Sequence, residues 1–342
     1  MAVRPYKQGD EQQILSLFEK VFQSKMELNV WKWKYLYRIN NIAPLILVFE
    51  EDGHILGHTA IWIHEAIIDG KDAKIGLRVD TMVDPDARGK GIYKQLSEQL
   101  IQEAKKENVS LLYGFPAAKA KELQIKYIQA HHLANINRWV YMNKPATLLS
   151  ASRNWLKPIR FLDQVYGFFK RIFVRRKKVP YTPIQKADSF DELARLIPIE
   201  EKISLKRNLD YLGWRYADHP EHTYEILKWL EGSNLKGYIV YRMYLNEQNI
   251  KVGLILDLVA EGEHRSLIEQ ALLEKAIERM NDAAFVQAWT IPDQDITISY
   301  KKAGFFLKDE PMPLVIRKID DIELDITNPE NWFVSMGDVD SF

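Results

Sequence analysis

Apolar positions along the first 145 residues alternate between a helical period and the shorter period of strands. A short strand over residues 3–6 leads into a helix from Asp10, where Ile14, Leu15, Phe18 and Phe22 recur at helical spacing, and a second helical piece runs through 31–37. Strands follow over 45–50, 55–68 and 73–83, the last two entered through Asp52-Gly53 and Asp69-Gly70, dipeptides suited to tight hairpin turns. Helical spacing returns over 90–106 with Tyr93, Leu96, Leu100, Ile101 and Ala104 on one face. A strand at 110–114, a helix at 118–129 and a strand at 137–142 complete this half. The order β-α-α-β-β-β-α-β-α-β predicts an α/β (α+β) architecture, a mixed sheet flanked by helices.

Residues 150–180 interrupt the pattern with cations such as Arg153, Lys170, Arg175, Arg176, Lys177 and Lys178 set among Trp155, Phe161, Tyr166 and Phe173. Two readings are open for 153–178: weak contact with an anionic membrane surface, or a connecting helix with packed aromatics and a solvated basic face. Beyond it the first half recurs. Trp33-Lys34-Tyr35 returns as Trp214-Arg215-Tyr216, the hairpin glycine Gly57 as Gly237, and Tyr127 as Tyr300. Lys74-Ile75-Gly76-Leu77 with Asp80 returns as Lys251-Val252-Gly253-Leu254 with Asp257. Four landmarks in one order predict a duplicated domain. The expected division is a first domain at 1–148, a basic aromatic connection at 149–182, a second domain at 183–320 and a tail at 321–342.

Composition narrows the chemistry. At 342 residues with 46% hydrophobic side chains, the chain is long enough for two cores. Its 47 basic and 47 acidic residues balance, which argues against a nucleic-acid partner. With no cysteine, zinc-thiolate sites and acyl-cysteine intermediates are excluded, and no ligand cluster predicts a metal. The amino terminus lacks an apolar signal core and no run of apolar residues is long enough to span a bilayer, so the expected location is the cytoplasm.

The most informative stretch is Asp84-Pro85-Asp86-Ala87-Arg88-Gly89-Lys90-Gly91-Ile92-Tyr93, a strand end followed by a glycine loop that opens a helix. Glycines let successive backbone N–H groups approach an anion, and the helix terminus adds partial positive charge; a pyrophosphate suits such a site. A P-loop requires Lys-Ser/Thr after its last glycine, where Ile92 stands here, and a dinucleotide fingerprint requires a third glycine. The motif instead resembles the Arg/Gln-x-x-Gly-x-Gly/Ala signature of the GNAT N-acetyltransferase superfamily, with Tyr93 in place of the last small residue. The resemblance covers residues 1–145 by element order and 185–318 more faintly, implying two tandem GNAT folds with the second degenerate.

From that resemblance follow the expected roles. Arg88, Gly89, Lys90, Gly91, Ile92 and Tyr93 hold the pyrophosphate of acetyl-CoA, and Met82 and Val83 pair with the pantetheine. A bulge splays the strand and frees a backbone N–H for the thioester carbonyl. Tyr127 is the implied proton donor to the leaving sulfur, although His131-His132 stands where Gly-Phe is usual; a packed core tyrosine is the alternative. Asp80 is the candidate to deprotonate the amine, against a structural role suggested by its repetition as Asp257. His58, Trp62 and His64 share one strand face and line either an acceptor pocket or an ordinary sheet face. In the second half Glu261-Gly262-Glu263-His264 replaces the glycine loop, so no second cofactor site is expected. Acetyl transfer to an amine of a small molecule or amino sugar is the leading reading. A Fem-like aminoacyl or peptidyl transferase and a non-catalytic acyl-CoA-binding protein are the alternatives.

Overall fold

In the computed structural model, residues 2–151, 154–173, 184–186, 193 and 202–341 are described. In chain order the elements are β1 (Ala2–Pro5), α1 (Glu11–Phe22), α2 (Leu28–Leu36), β2 (Leu45–Glu51), β3 (His54–Ile68), β4 (Lys71–Val83), α3 (Ile92–Lys106), β5 (Leu111–Gly114), α4 (Ala118–Ile128) and β6 (His131–Met142). Then follow α5 (Pro145–Ala151), α6 (Leu162–Phe173), β7 (Ile184–Lys186), β8 (Ile203–Leu205) and α7 (Leu209–Leu212). The chain continues with β9 (Glu225–Glu231), β10 (Asn234–Leu245), β11 (Lys251–Ala260), α8 (Arg265–Arg279), β12 (Phe285–Thr290), α9 (Ile296–Ala303) and β13 (Phe306–Lys318). The mixed α/β architecture expected from the sequence is the one observed.

The chain forms two compact units that are discontinuous in sequence: residues 1–135, 200–222 and 312–333 make one, and 136–199, 223–311 and 334–342 the other. Unit 1 holds the antiparallel run β1-β2-β3-β4, followed by β5 parallel to β4. Its far edge is closed by the end of β13, where Val315–Lys318 pair antiparallel with β5, and β8 pairs with the projecting end of β3. Unit 2 repeats the theme. β9, β10 and β11 are antiparallel, β12 runs parallel to β11, and β6 closes the edge against β12. Each unit thus takes its closing strand from a remote part of the chain, which no local pattern announces.

One pair of repeated glycines explains how a long helix sits close on each sheet, and a second pair is as tightly packed. A Cβ on Gly57 would lie 2.7 Å from Ile92 and 2.9 Å from Leu96 of α3, and one on Gly237 would lie 2.6 Å from Ile268 of α8. Gly76 and Gly253 are equally tight, each 2.7 Å from a neighbouring side chain, Leu112 and Met280 respectively. Over Gly57, α3 packs Ile92, Leu96 and Leu100 against Leu47, Phe49, Ile61 and Ile63. Each fully buried Leu or Ile of that face contributes roughly 1.5–3 kcal/mol.

Some boundaries differ from those expected. Helix α3 begins at Ile92 rather than at 90, because Gly91 takes φ 77 and forms the cap. Helix α4 stops at Ile128 where Gln129 turns left-handed, and His131-His132 open strand β6, which starts well before 137. Of the basic aromatic stretch, residues 154–173 are helical, with Trp155 74% and Phe161 62% exposed. Arg153, Arg175, Arg176, Lys177 and Lys178 lie outside the described residues. In the tail, Trp332 is buried in unit 1 and its indole donates to the Ile326 carbonyl at 2.8 Å. Residues 334–341 belong to unit 2, where the Asp338 carboxylate accepts from the Ser335 backbone N–H at 2.8 Å.

Candidate active site

Strand β4 pairs with β5 over only three residues, Ile75–Leu77 against Leu111–Tyr113. From Arg78 to Val83 it continues with β3 on one side and, among the described residues, no paired strand on the other. The β3–β4 register slips between His58 and Ala60, which face Met82 and Val79, so Asp80 and Thr81 together oppose Thr59. Asp80 carries the extra residue's strain with φ 41, in the left-handed region. A fork and a bulge therefore lie on the same strand, two residues apart.

Directly after β4, Asp84 caps a short turn at Pro85–Ala87 by accepting from the Asp86 N–H, and Lys20 bridges both carboxylates at 2.7 Å. Arg88, Gly89, Lys90 and Gly91 are exposed, whereas Ile92 is buried beneath them. Gly89 and Gly91 take φ 88 and 77, a conformation any side chain would resist, and open space lies where their Cβ atoms would be. Helix α3 has no acidic residue in its first turn, so its N-terminal N–H groups and dipole present uncancelled positive charge. Lys90 pairs with Glu51 at 3.1 Å, which draws its charge toward the sheet. A groove of about 280 Å³ opens beside the loop, lined by Gln12, Ser16, Lys20, His54 and Asp84 among others.

On the α1–α2 side of the bulge sits a buried polar cluster. Lys34 of α2 approaches the Asp80 carboxylate at 2.6 Å, and the Tyr35 hydroxyl donates to the same oxygen. Burial alone would push the Asp80 carboxyl up; the charge and hydrogen bond of Lys34, with that of Tyr35, outweigh it and hold the group below the usual carboxylate range. The Nδ1 of His58 lies 2.8 Å from the Asp80 carbonyl, which only a protonated Nδ1 can satisfy, leaving Nε2 as a bare acceptor. That Nε2 is buried without a partner among the described residues, and burial pushes the imidazole pKa down, keeping the ring neutral.

Beside this cluster is an aromatic wall. Trp33 stacks on Trp214 at 5.0 Å, each indole donates to the other's backbone carbonyl, and Trp62 meets both edge-on. His58 and His64 lie buried on this face as the period-two pattern requires. On the opposite face, α3 and α4 bring Tyr93 and Tyr127 together with centroids 6.1 Å apart, and Tyr127 remains half-buried.

The family resemblance points to the loop, Asp80 and Tyr127, but not to Lys34, Tyr35 or the tautomer of His58. The available signal was Lys34 itself, a cation between Trp33 and Tyr35 in a helix that buries both aromatics. Among the described residues no group of three or more His, Cys, Asp or Glu side chains is placed to hold a metal, and no helix is long and apolar enough to cross a membrane.

Residues 2–121 match the family model described as an acetyltransferase (GNAT) domain. No curated protein matches the chain in sequence. Among solved structures, the chain resembles a probable N-acyltransferase from Enterococcus faecalis (10% identity, TM-score 0.66), covering 93% of this chain and 72% of that one. It also resembles a GCN5-related N-acetyltransferase from Anabaena variabilis (13%, TM-score 0.60, 93% and 72% covered) and Eis1 from Mycobacterium abscessus (12%, TM-score 0.60, 94% and 74% covered). At such identities these likenesses concern the fold. The matched residues 2–121 carry the fork, the bulge and the glycine loop, and it is this part of the chain that is similar to a GNAT acetyltransferase domain.

Proposed function

We propose that the chain transfers an acetyl group from acetyl-CoA directly to an amine of a small molecule or amino sugar, acting in the cytoplasm where that donor is made. The observation that carries this is the unpaired edge of β4 from Arg78 to Val83, running from the bulge into a loop with two left-handed glycines. Free backbone groups of Met82 and Val83 suit a pantetheine arm, and the N–H groups from Arg88 to Tyr93 suit a pyrophosphate. Acetyl-CoA supplies an activated acyl thioester. What the protein adds is position, exclusion of water and proton handling.

The half-buried Tyr127 is the candidate donor to the departing sulfur. Asp80, kept anionic by Lys34 and Tyr35, is a weak base, suited to drawing a protonated amine to the bulge and taking its proton through water. The absence of cysteine favours direct transfer over a thioester on the enzyme. Unit 2 is read as a degenerate copy without a donor site, and the exposed Trp155 and Phe161 as a weak membrane-surface contact beside the basic stretch.

Calorimetry with acetyl-CoA tests the core of this. Binding lost in a Gly89→Glu, Gly91→Glu double variant whose melting temperature holds supports the donor site, whereas a wild type that binds no CoA species refutes it. Co-sedimentation with anionic vesicles, abolished by Trp155→Ala with Phe161→Ala, tests the membrane contact.

A further inference from the structure

Arg78 is the first residue of β4 beyond its last pair with β5, and it shares its face with Gly76 beneath α3. Its neighbour across the fork is Gly114, whose absent Cβ would lie 3.5 Å from the Arg78 Cβ, so the arginine stem forms the floor at the point where the strands part. The residue is 7% exposed. Nη2 lies 3.4 Å from Ser97 Oγ and 3.5 Å from Thr81 Oγ1, distances at the outer limit for a hydrogen bond. Nε and Nη1 are buried with no partner among the described residues.

Asp80, the acidic side chain two residues along the strand, is already engaged by Lys34 and Tyr35. Tyr93, the bulky residue standing where the GNAT signature has a small one, brings its buried hydroxyl against this guanidinium, a neutral neighbour that leaves the cation's charge unbalanced. An arginine stays protonated at any physiological pH, so it cannot escape burial by losing its charge. A buried cation with two such nitrogens, three N–H groups between them, and only a neutral hydroxyl beside it is strongly unfavourable unless an anion joins it.

We propose that Arg78, with Tyr93, receives a carboxylate carried on the acyl group of the donor, so that a short carboxyacyl-CoA, the thioester of a dicarboxylic acid, binds in preference to acetyl-CoA. This rests on the reading of the fork and loop as the CoA site, since only then does the acyl group arrive at the bulge, two residues from Arg78. A neutral acetyl group offers the guanidinium no acceptor. A carboxylate two or three carbon–carbon bonds beyond the thioester offers two, in the planar geometry a guanidinium prefers. Tyr93 then occupies the small-residue position for a reason: it shortens the space above the floor and adds a hydroxyl donor to it.

The test is calorimetric titration of the whole chain with CoA, acetyl-CoA and succinyl-CoA, using the wild type, Arg78→Met and Tyr93→Phe. The wild type is expected to bind succinyl-CoA at least about tenfold more tightly than acetyl-CoA, the discrimination of one charge-assisted pair. The ratio should fall to about one in Arg78→Met and by a few-fold in Tyr93→Phe. A wild-type ratio of one overturns the proposal without any variant, so it stands exposed even if Arg78→Met fails to fold. A ratio that survives Arg78→Met, or a variant that weakens both esters equally, also overturns it; the latter assigns the guanidinium to a pantetheine carbonyl. If CoA itself binds while the ratio is one, the donor site stands and only this inference falls. If no CoA species binds, both fall together.

Discussion

The two units carry the same helix over the same glycine and differ in the loop that precedes it. In unit 1 the turn from β4 to α3 holds two left-handed glycines, and its two carboxylates, Asp84 and Asp86, are both bridged by Lys20. In unit 2 the turn from β11 to α8 keeps one, Gly262 at φ 85, flanked by Glu261 and Glu263, and Glu261 is tied to Lys236 at 2.9 Å. The tyrosines differ likewise. Tyr127 is half-buried between α3 and α4, whereas Tyr300 is buried beside Glu269 and Asp257, and its desolvation pushes the phenol pKa far up. Packing glycines serve the fold and persist in both copies; the pair of loop glycines and the half-buried tyrosine, which the proposed donor site would use, stand only in one.

Substitution can break that contrast. The largest effect belongs to the loops: Gly89→Glu with Gly91→Glu should weaken acetyl-CoA binding by more than about 100-fold, the combined result of two strained backbones and two carboxylates against phosphate. Glu263→Ala in unit 2 should shift it less than about twofold. Next come the tyrosines. Tyr127→Phe should lower kcat about 100-fold with KM little changed, the loss of a general acid, while Tyr300→Phe should leave kcat within about twofold.

The packing glycines should instead behave alike. Gly57→Ala and Gly237→Ala should each destabilise by about 1–3 kcal/mol in a urea titration, since each new Cβ meets an isoleucine that α3 or α8 holds in place. A large loss at one and none at the other would show that the copies are not packed by the same rule.

The smallest effect is a pH dependence. His58 is held neutral by burial, beside Asp80 and Lys34 and edge-on to the Tyr35 ring, so its folded pKa lies below that of the unfolded chain. The folded state binds fewer protons there, and its contribution is present above pH 6.5 and lost as pH falls below it, at up to about 1.4 kcal/mol per pH unit. His58→Gln should flatten the fall in stability between pH 7 and 5, measured by denaturation at each pH; an unchanged slope would assign it to other groups.

Much of this was legible in the chain. Asp52-Gly53 and Asp69-Gly70 mark their hairpins because positive φ is a local property, and Gly57, Gly76, Gly237 and Gly253 were visible as repeats because close packing leaves the same residue twice. The loop was visible for the same reason. Arg78 was not, since a cation within a strand reads as a solvent-facing position until a helix is known to cover it. Nor was the coupling of Lys34 to Asp80, or the pairing of Val315–Lys318 with β5, which depend on segments far apart in sequence. Periodicity speaks about neighbours along the chain and is silent about who arrives from elsewhere.

The closing strand of unit 1 has a consequence for biosynthesis. The first 135 residues leave the ribosome with β5 already made, but its outer edge waits for residues 315–318, and the unit for residue 333. At roughly 5–20 residues per second that wait lasts on the order of ten seconds or more, with an open strand edge available to any other chain. A nascent protein of this design depends on being shielded until residues 315–318 have emerged. A stop shortly before them would spoil an early part of the molecule rather than the part being made.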